Sequence, residues 1–193
     1  EKDDLPYRKL AEHIGQFPVV FIAPDDTQLV TGGSEERRKL IDQTISQLDQ
    51  QYLVNLMVYE KLLKQRNSLL KRTDINDSEK TRLLNIYDHQ METPANYLHI
   101  KREKFTLKIW DSYQKINEVL SNRQETPFIH YSSPLHELEF LKLMEVNRKK
   151  DLILQRSSSG PHRDDLLFSM QDHPIKKFGS QGQLKTFVIS LKL

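Results

Sequence analysis

The sequence predicts an α/β (or α+β) fold in which a sheet-forming part is interrupted by a long helical hairpin. Three observations predict it. Short β-prone runs occur at Pro18–Ala23, Thr126–Ser132 and Asp165–Met170. Between the first two, Ile41, Ile45, Leu48, Tyr52, Leu56, Tyr59 and Leu63 recur at steps of four and three, a stripe that wants a partner helix. Near the C-terminus Leu184, Phe187, Val188 and Leu191 repeat at i, i+3, i+4, i+7, so Ser180 stands in the turn that opens an amphipathic helix.

Taken in order, residues 4–14 read as a short helix with Leu5, Tyr7, Leu10, Ala11 and Ile14 on one side and Gly15 as its cap. Pro18–Ala23 reads as a buried strand. Asp25 and Asp26 follow it. Their residue type suits a turn, and their position at the end of a strand also suits a ligand-proximal loop. Ser34 begins a helix that carries Glu35 and Glu36 against its dipole and runs to Lys71-Arg72. Asp74–Asp77 is a polar turn, and Ser78 is placed to cap the next helix. Thr93-Pro94 either starts a new helix or kinks one long one, and the pattern continues through Leu98, Phe105, Ile109, Tyr113 and Ile116 to Leu120. Two long helices joined by a short turn make an antiparallel hairpin.

Ser133-Pro134 opens a further helix bearing Leu135, Leu138, Leu141, Met144 and Leu152. Lys142, Arg148, Lys149 and Lys150 along or near its end suit the negative pole of a helix and need no ligand. Asp165–Met170 is a strand, Gln171–His173 a turn, and Pro174–Lys177 a return strand. The chain divides into 1–33, a helical lobe at 34–125, and 126–193.

Composition excludes several classes. Of 193 residues, 29% are charged and 37% hydrophobic, with a net charge of +2, so DNA contact would rest on local basic clusters rather than bulk charge. No cysteine is present, which excludes disulfides and thiolate metal sites and fits a reducing cytoplasm. No apolar run reaches the roughly 18 residues of a membrane span. The seven histidines form no metalloprotease-type pair. His162 lies beside Arg163, Asp164 and Asp165, a cluster that reads as a turn held by local salt bridges. No Gly-x-x-x-x-Gly-Lys-Ser/Thr phosphate loop occurs.

A helix start such as Ser180-Gln181-Gly182-Gln183 offers free backbone N–H groups and the positive dipole end to an anion. Taken alone, it describes an ordinary Ser cap worth about 1 kcal/mol. Basic candidates for a phosphate backbone are Arg37, Arg38 and Lys39; Lys64, Arg66, Lys71 and Arg72; and Lys101, Arg102 and Lys104. Many alternate with acids, as on a solvated helix face.

The pair Gly160-Pro161-His162-Arg163-Asp164-Asp165-Leu166 and Ser180-Gln181-Gly182-Gln183 resembles the RecF family, bacterial replication and repair proteins of the ABC/SMC ATPase class. Phe21–Asp26, Glu36-Arg37-Arg38-Lys39 through Asp42, and Tyr59 with Gln65-Arg66-Asn67 resemble it as well. Leu184 departs from the family, which usually has a polar residue there. The resemblance implies part of an ABC-type ATPase sheet with a helical insertion. It implies that Ser180 and Gly182 contact the γ-phosphate of ATP held by a second subunit, with Gln181 and Gln183 supporting the loop. It further implies Mg²⁺ and ATP in the intact protein, slow DNA-stimulated hydrolysis, an ATP-dependent homodimer, binding at single-strand/double-strand DNA junctions, and RecO and RecR partners. Both ends read as cut, so the expectation is an internal fragment without hydrolysis of its own. The alternative from the residues is a helical protein-interaction module in which Ser180 only caps.

Overall fold

Alternation of apolar and polar residues builds the sheet. In β1 (Pro127–Ser132) and β2 (Asp165–Met170) every second residue turns inward. The strands pair antiparallel with Ile129 opposite Phe168 and Tyr131 opposite Leu166, so the buried sets share one face. A short β3 (His173–Pro174) extends the order to β1-β2-β3. The structure is a computed structural model and describes residues 14, 19–121, 127–171 and 173–193. The expected helix at 4–14 and its Gly15 cap lie almost entirely outside the described residues.

The chain divides into two compact units: 1–50, 102–132 and 165–193 form the first, and 51–101 with 133–164 form the second. The first holds the sheet, a one-turn helix α1 (Gln28–Thr31), α2 (Ser34–Leu48), the last part of α4 (Asp77–Leu120), a one-turn α6 (Ile175–Phe178) and α7 (Gln181–Lys192). Its core joins Phe168 of β2 to Phe187 of α7 at 4.9 Å between ring centres, and Phe187 to Tyr113 of α4 at 5.1 Å. Arg102 of α4 forks onto Asp42 of α2.

The second unit is a helical hairpin with a cap. Here α3 (Gln50–Lys71) turns back at residues 72–76 into α4, and Leu69 and Leu70 pack with Leu84 across the turn. Asn76, rather than Ser78, caps α4, its Oδ1 accepting from the Glu79 N–H at 2.8 Å. Helix α5 (Phe140–Leu154) ends at Gln155, which takes the left-handed conformation.

Four expectations are corrected, and the alternative left open at Thr93-Pro94 is decided for one long helix. Val19–Ala23 forms no strand among the described residues, and Phe21 is 78% exposed. A strand needs a neighbour for its N–H and C=O groups, and β propensity alone supplies none. The helix expected from Ser34 to Arg72 breaks at Asp49 (φ −141°, ψ 99°). Leu48 is thereby left out of the buried stripe, while Ile41 and Ile45 on one side and Tyr52 and Tyr59 on the other stay inside. Thr93-Pro94 breaks nothing, because α4 runs through it. Burial of Met91, Ala95 and Leu98 around the proline offsets the roughly 3 kcal/mol that a proline costs in a helix. The helix expected from Ser133 starts instead as a 3₁₀ turn at Pro134–His136, where Ser133 Oγ accepts from the Leu135 N–H, and the α-helix begins only at Phe140. The return strand stops at Pro174, which has no N–H to extend a ladder, and gives way to α6.

Candidate functional site

Ser180 occupies the N-cap of α7 in extended geometry (φ −67°, ψ 163°). Its Oγ accepts from the Gln183 N–H at 3.2 Å, and Gln183 Oε1 accepts from the Ser180 N–H at 2.8 Å. This reciprocal capping box fixes the turn. It leaves the next two amides, of Gln181 and Gly182, at the exposed helix end. Both glycines near this turn are informative. At Gly179 a Cβ would lie 2.7 Å from the Ile175 carbonyl oxygen, so packing within the chain demands glycine there. At Gly182 a Cβ would meet nothing nearer than Ser180 Oγ at 3.9 Å. The fold of this chain therefore gives no reason for a glycine in the first turn of α7, where it costs up to about 1 kcal/mol relative to alanine.

At its other end α7 is tied down. Lys192 Nζ sits 2.6 Å from Asp26 Oδ2 and donates to the Phe21 carbonyl at 2.8 Å. Asp26 Oδ2 also accepts from the Ala23 N–H at 2.6 Å. Burial works to raise the Asp26 pKa, but the Ala23 N–H and the Lys192 ammonium outweigh it and hold the carboxyl below its usual range. Asp25 is exposed.

In the second unit, the Gly160 motif docks on α3. Gly160 has φ 124°, and a Cβ there would lie 2.7 Å from Tyr59 Oη. His162 Nε2 bonds the Ser157 carbonyl at 3.1 Å, so Nε2 carries a proton, and Nδ1 meets Tyr59 Oη at 2.8 Å. Arg163 also reaches the Ser157 carbonyl, at 3.4 Å. The neighbouring Arg66 is fully buried. Its Nε donates to Asp88 at 2.7 Å, and its Nη1 donates to Asp151 and to Ser157 Oγ, both at 2.8 Å. Asn67 Oδ1 accepts from both the N–H and the hydroxyl of Ser157. Asp151 in turn accepts from the N–H and hydroxyl of Ser158. The two groups of residues that carried the resemblance, Tyr59 with Arg66-Asn67 and the Gly160 segment, thus form one hydrogen-bonded cluster.

This geometry revises several site assignments. Two members of the His162–Asp165 cluster are held from elsewhere in the chain. His162 is bonded by Tyr59, and Asp165 in the first unit receives a two-bond fork from Arg37 at 2.6 and 3.0 Å. Arg37 also donates to the Leu29 and Gly32 carbonyls and lies over the Phe168 ring. Arg37, Arg66 and Arg102 are thus largely buried and ion-paired within the chain. Arg38 is half-buried; Lys71 and Arg72 are exposed, Arg72 pairing with Asp74 at 2.6 Å. That pairing holds the Asp74 carboxyl down to about 2. Arg148 donates within the chain to Asp88 at 2.6 Å and Asn85 at 2.8 Å. Asp88, Asp151, Ser157 and Lys192 escape a reading by sequence. Nothing in their spacing marks them, and each acts on a residue far away in the chain.

Against known proteins, no family model matches this chain. It is 42% identical to the DNA replication and repair protein RecF of Flavobacterium johnsoniae over 187 residues, covering 97% of this chain and 52% of that protein. Over the matched span the chain is similar in sequence to RecF proteins. It is 39% identical to RecF of Cytophaga hutchinsonii, covering 99% of this chain and 51% of that one. A solved structure of the recombination mediator protein RecF-ATP in the RecFOR pathway superposes with a TM-score of 0.84 at 28% identity, over 94% of this chain and 50% of the other. The RecF-ATPrS structure of the same pathway gives 0.87 at 28% identity, over 96% and 52%. The chain spans about half the length of the relatives it matches. The α/β architecture with a long helical insertion agrees with the RecF structures. Among the described residues, no helix is long and apolar enough to cross a membrane.

Proposed function

We propose that this chain supplies the signature segment of a RecF-type ATPase that acts in DNA gap repair and replication. In this reading Ser180 and Gly182 contact the γ-phosphate of ATP held by a second subunit, and Gln181 and Gln183 brace the turn. Residues 1–33 and 126–193 then belong to the ATPase domain, and 34–125 is its insertion. The observation that carries the reading is Gly182, exposed in a helix's first turn with open space where a side chain would go. A glycine that packing does not require fits a close approach by something from outside the chain. Beside it, the capping box holds Ser180 with its oxygen at the mouth of the turn and leaves two amides facing outward.

When bound, ATP with Mg²⁺ would supply negative charge that joins two subunits, and its slow hydrolysis would release them. No residue of this chain is assigned the chemical step. Dimerisation would load the protein at single-strand/double-strand DNA junctions, with RecO- and RecR-type proteins as partners. DNA contact falls to the exposed Lys71 and Arg72, with Arg38 beside the other end of the lobe. The test is Ser180→Arg in the full-length protein, followed by sedimentation velocity with ATP. Loss of ATP-driven dimerisation, with stability lowered by no more than the roughly 1 kcal/mol of a lost cap, is the expected result. Dimerisation at the wild-type protein concentration would return Ser180 to a helix cap and leave the interaction-module reading.

A further inference from the structure

We infer that Asp26 and Lys192 form a latch that positions the Ser180–Gln183 turn, making Asp26 a positioning residue for nucleotide-dependent assembly. The inference rests on the reading of that turn proposed above.

Helix α7 is supported at three points. At its front, the Gly179 N–H donates to the Ile175 carbonyl at 2.8 Å. In its middle, Phe187 is fully buried between Tyr113 and Phe168. At its rear, Lys192 is clamped by Asp26 and the Phe21 carbonyl. The turn itself is exposed, so its placement follows from these supports. The helical stretch Gln181–Lys192 is about 18 Å long and moves as a rod. Phe187 lies five residues from Lys192 and seven from Ser180. Pivoting there, a shift of about 1 Å at the latch becomes roughly 1.4 Å at the turn. Misplacement on that scale takes a hydrogen bond of about 2.9 Å out of bonding range, so contacts from the turn to a phosphate would weaken.

The latch has the marks of a built feature. Both side chains are mostly buried, 12% exposed for Lys192 and 18% for Asp26. One carboxylate oxygen serves two donors, Lys192 Nζ and the Ala23 N–H. The segment from Phe21 to Asp26 is thereby wrapped on the end of the helix that carries the turn. That segment leads directly into α1 and α2, so a displacement of their root reaches α7 in part through the Lys192 ammonium.

The experiment uses full-length protein and measures the midpoint concentration of ATP-driven dimerisation, the ATP affinity of the monomer, and the melting temperature. Asp26→Asn and Lys192→Met should each raise the dimerisation midpoint about tenfold. ATP affinity of the monomer should stay unchanged, and the double variant should be no worse than either single one. Lys192→Arg retains the charge and the carbonyl bond and should stay within about twofold of wild type. A wild-type midpoint for Asp26→Asn, with Ser180→Arg abolishing dimerisation, overturns the latch and spares the signature reading. Wild-type midpoints for both overturn the signature reading itself. If Asp26→Asn fails to fold, the Lys192 pair decides, because equal impairment of Lys192→Arg and Lys192→Met also overturns the latch.

Discussion

Replacing Arg66 by methionine keeps most of the side-chain volume and removes the charge, and the structure sets the size of the effect. Three hydrogen bonds are lost: to Asp88 at 2.7 Å, and to Asp151 and Ser157 at 2.8 Å. Asp88 keeps Arg148 as a partner, so its charge stays met. Asp151 is 0% exposed and, among the described residues, is left with the two donors of Ser158. Breaking a buried pair from one side costs about 3–5 kcal/mol, because the remaining charge is stranded away from water. Against a typical total of about 5–15 kcal/mol this is a large fraction. For a protein of this size it lowers the melting temperature by roughly 6–20 °C. Calorimetry and urea unfolding measure it directly. A loss below about 1 kcal/mol would refute the reasoning. So would a variant that melts like wild type but binds DNA more weakly with a salt slope reduced by about 0.9, the signature of one lost phosphate contact. Lys71→Ala and Arg72→Ala should show the opposite pattern in the full-length protein, with weaker, less salt-dependent DNA binding and no change in melting.

Gly160→Ala should destabilise by about 1–3 kcal/mol, since it forces a side chain onto a positive φ and against Tyr59 Oη. Adding Tyr59→Phe should recover part of that loss in a double-mutant cycle, and strict additivity would show that the two do not meet. Gly182→Ala should raise thermal stability slightly, by at most about 1 kcal/mol, while weakening ATP-driven dimerisation. If that variant dimerises normally, the glycine has no role in approach. The depressed Asp26 carboxyl stabilises the fold at pH above its unfolded value of 3.8, and this contribution is lost as pH falls through the lower folded value. Melting of Asp26→Asn between pH 5 and 2.5 should therefore fall less steeply than that of wild type, and parallel curves would contradict the assignment.

Sequence legibility followed the range of the forces involved. The strands at Pro127–Ser132 and Asp165–Met170 were readable because inward and outward residues alternate with the pleat. The start of α7 was readable because a capping box is written within four residues. Helix breaks were less so. Asp49 ends a helix where no proline or glycine stands, and Pro94 fails to end one where propensity says it should, each decided by which side chains the packing buries.

By itself, then, the sequence determined the α/β class, the helical middle, and the turn that opens at Ser180. Those follow from periodicity and local hydrogen bonding, which act between neighbours in the chain. Tertiary structure alone decided what the charges do. Arg37 and Arg66 look like any exposed helix cation in the sequence, yet each is consumed by carboxylates brought from 128, 22 and 85 residues away. It also decided that Asp26 answers to Lys192, 166 positions later by number. A charge's function depends on its burial and its partner, and both are properties of the folded chain.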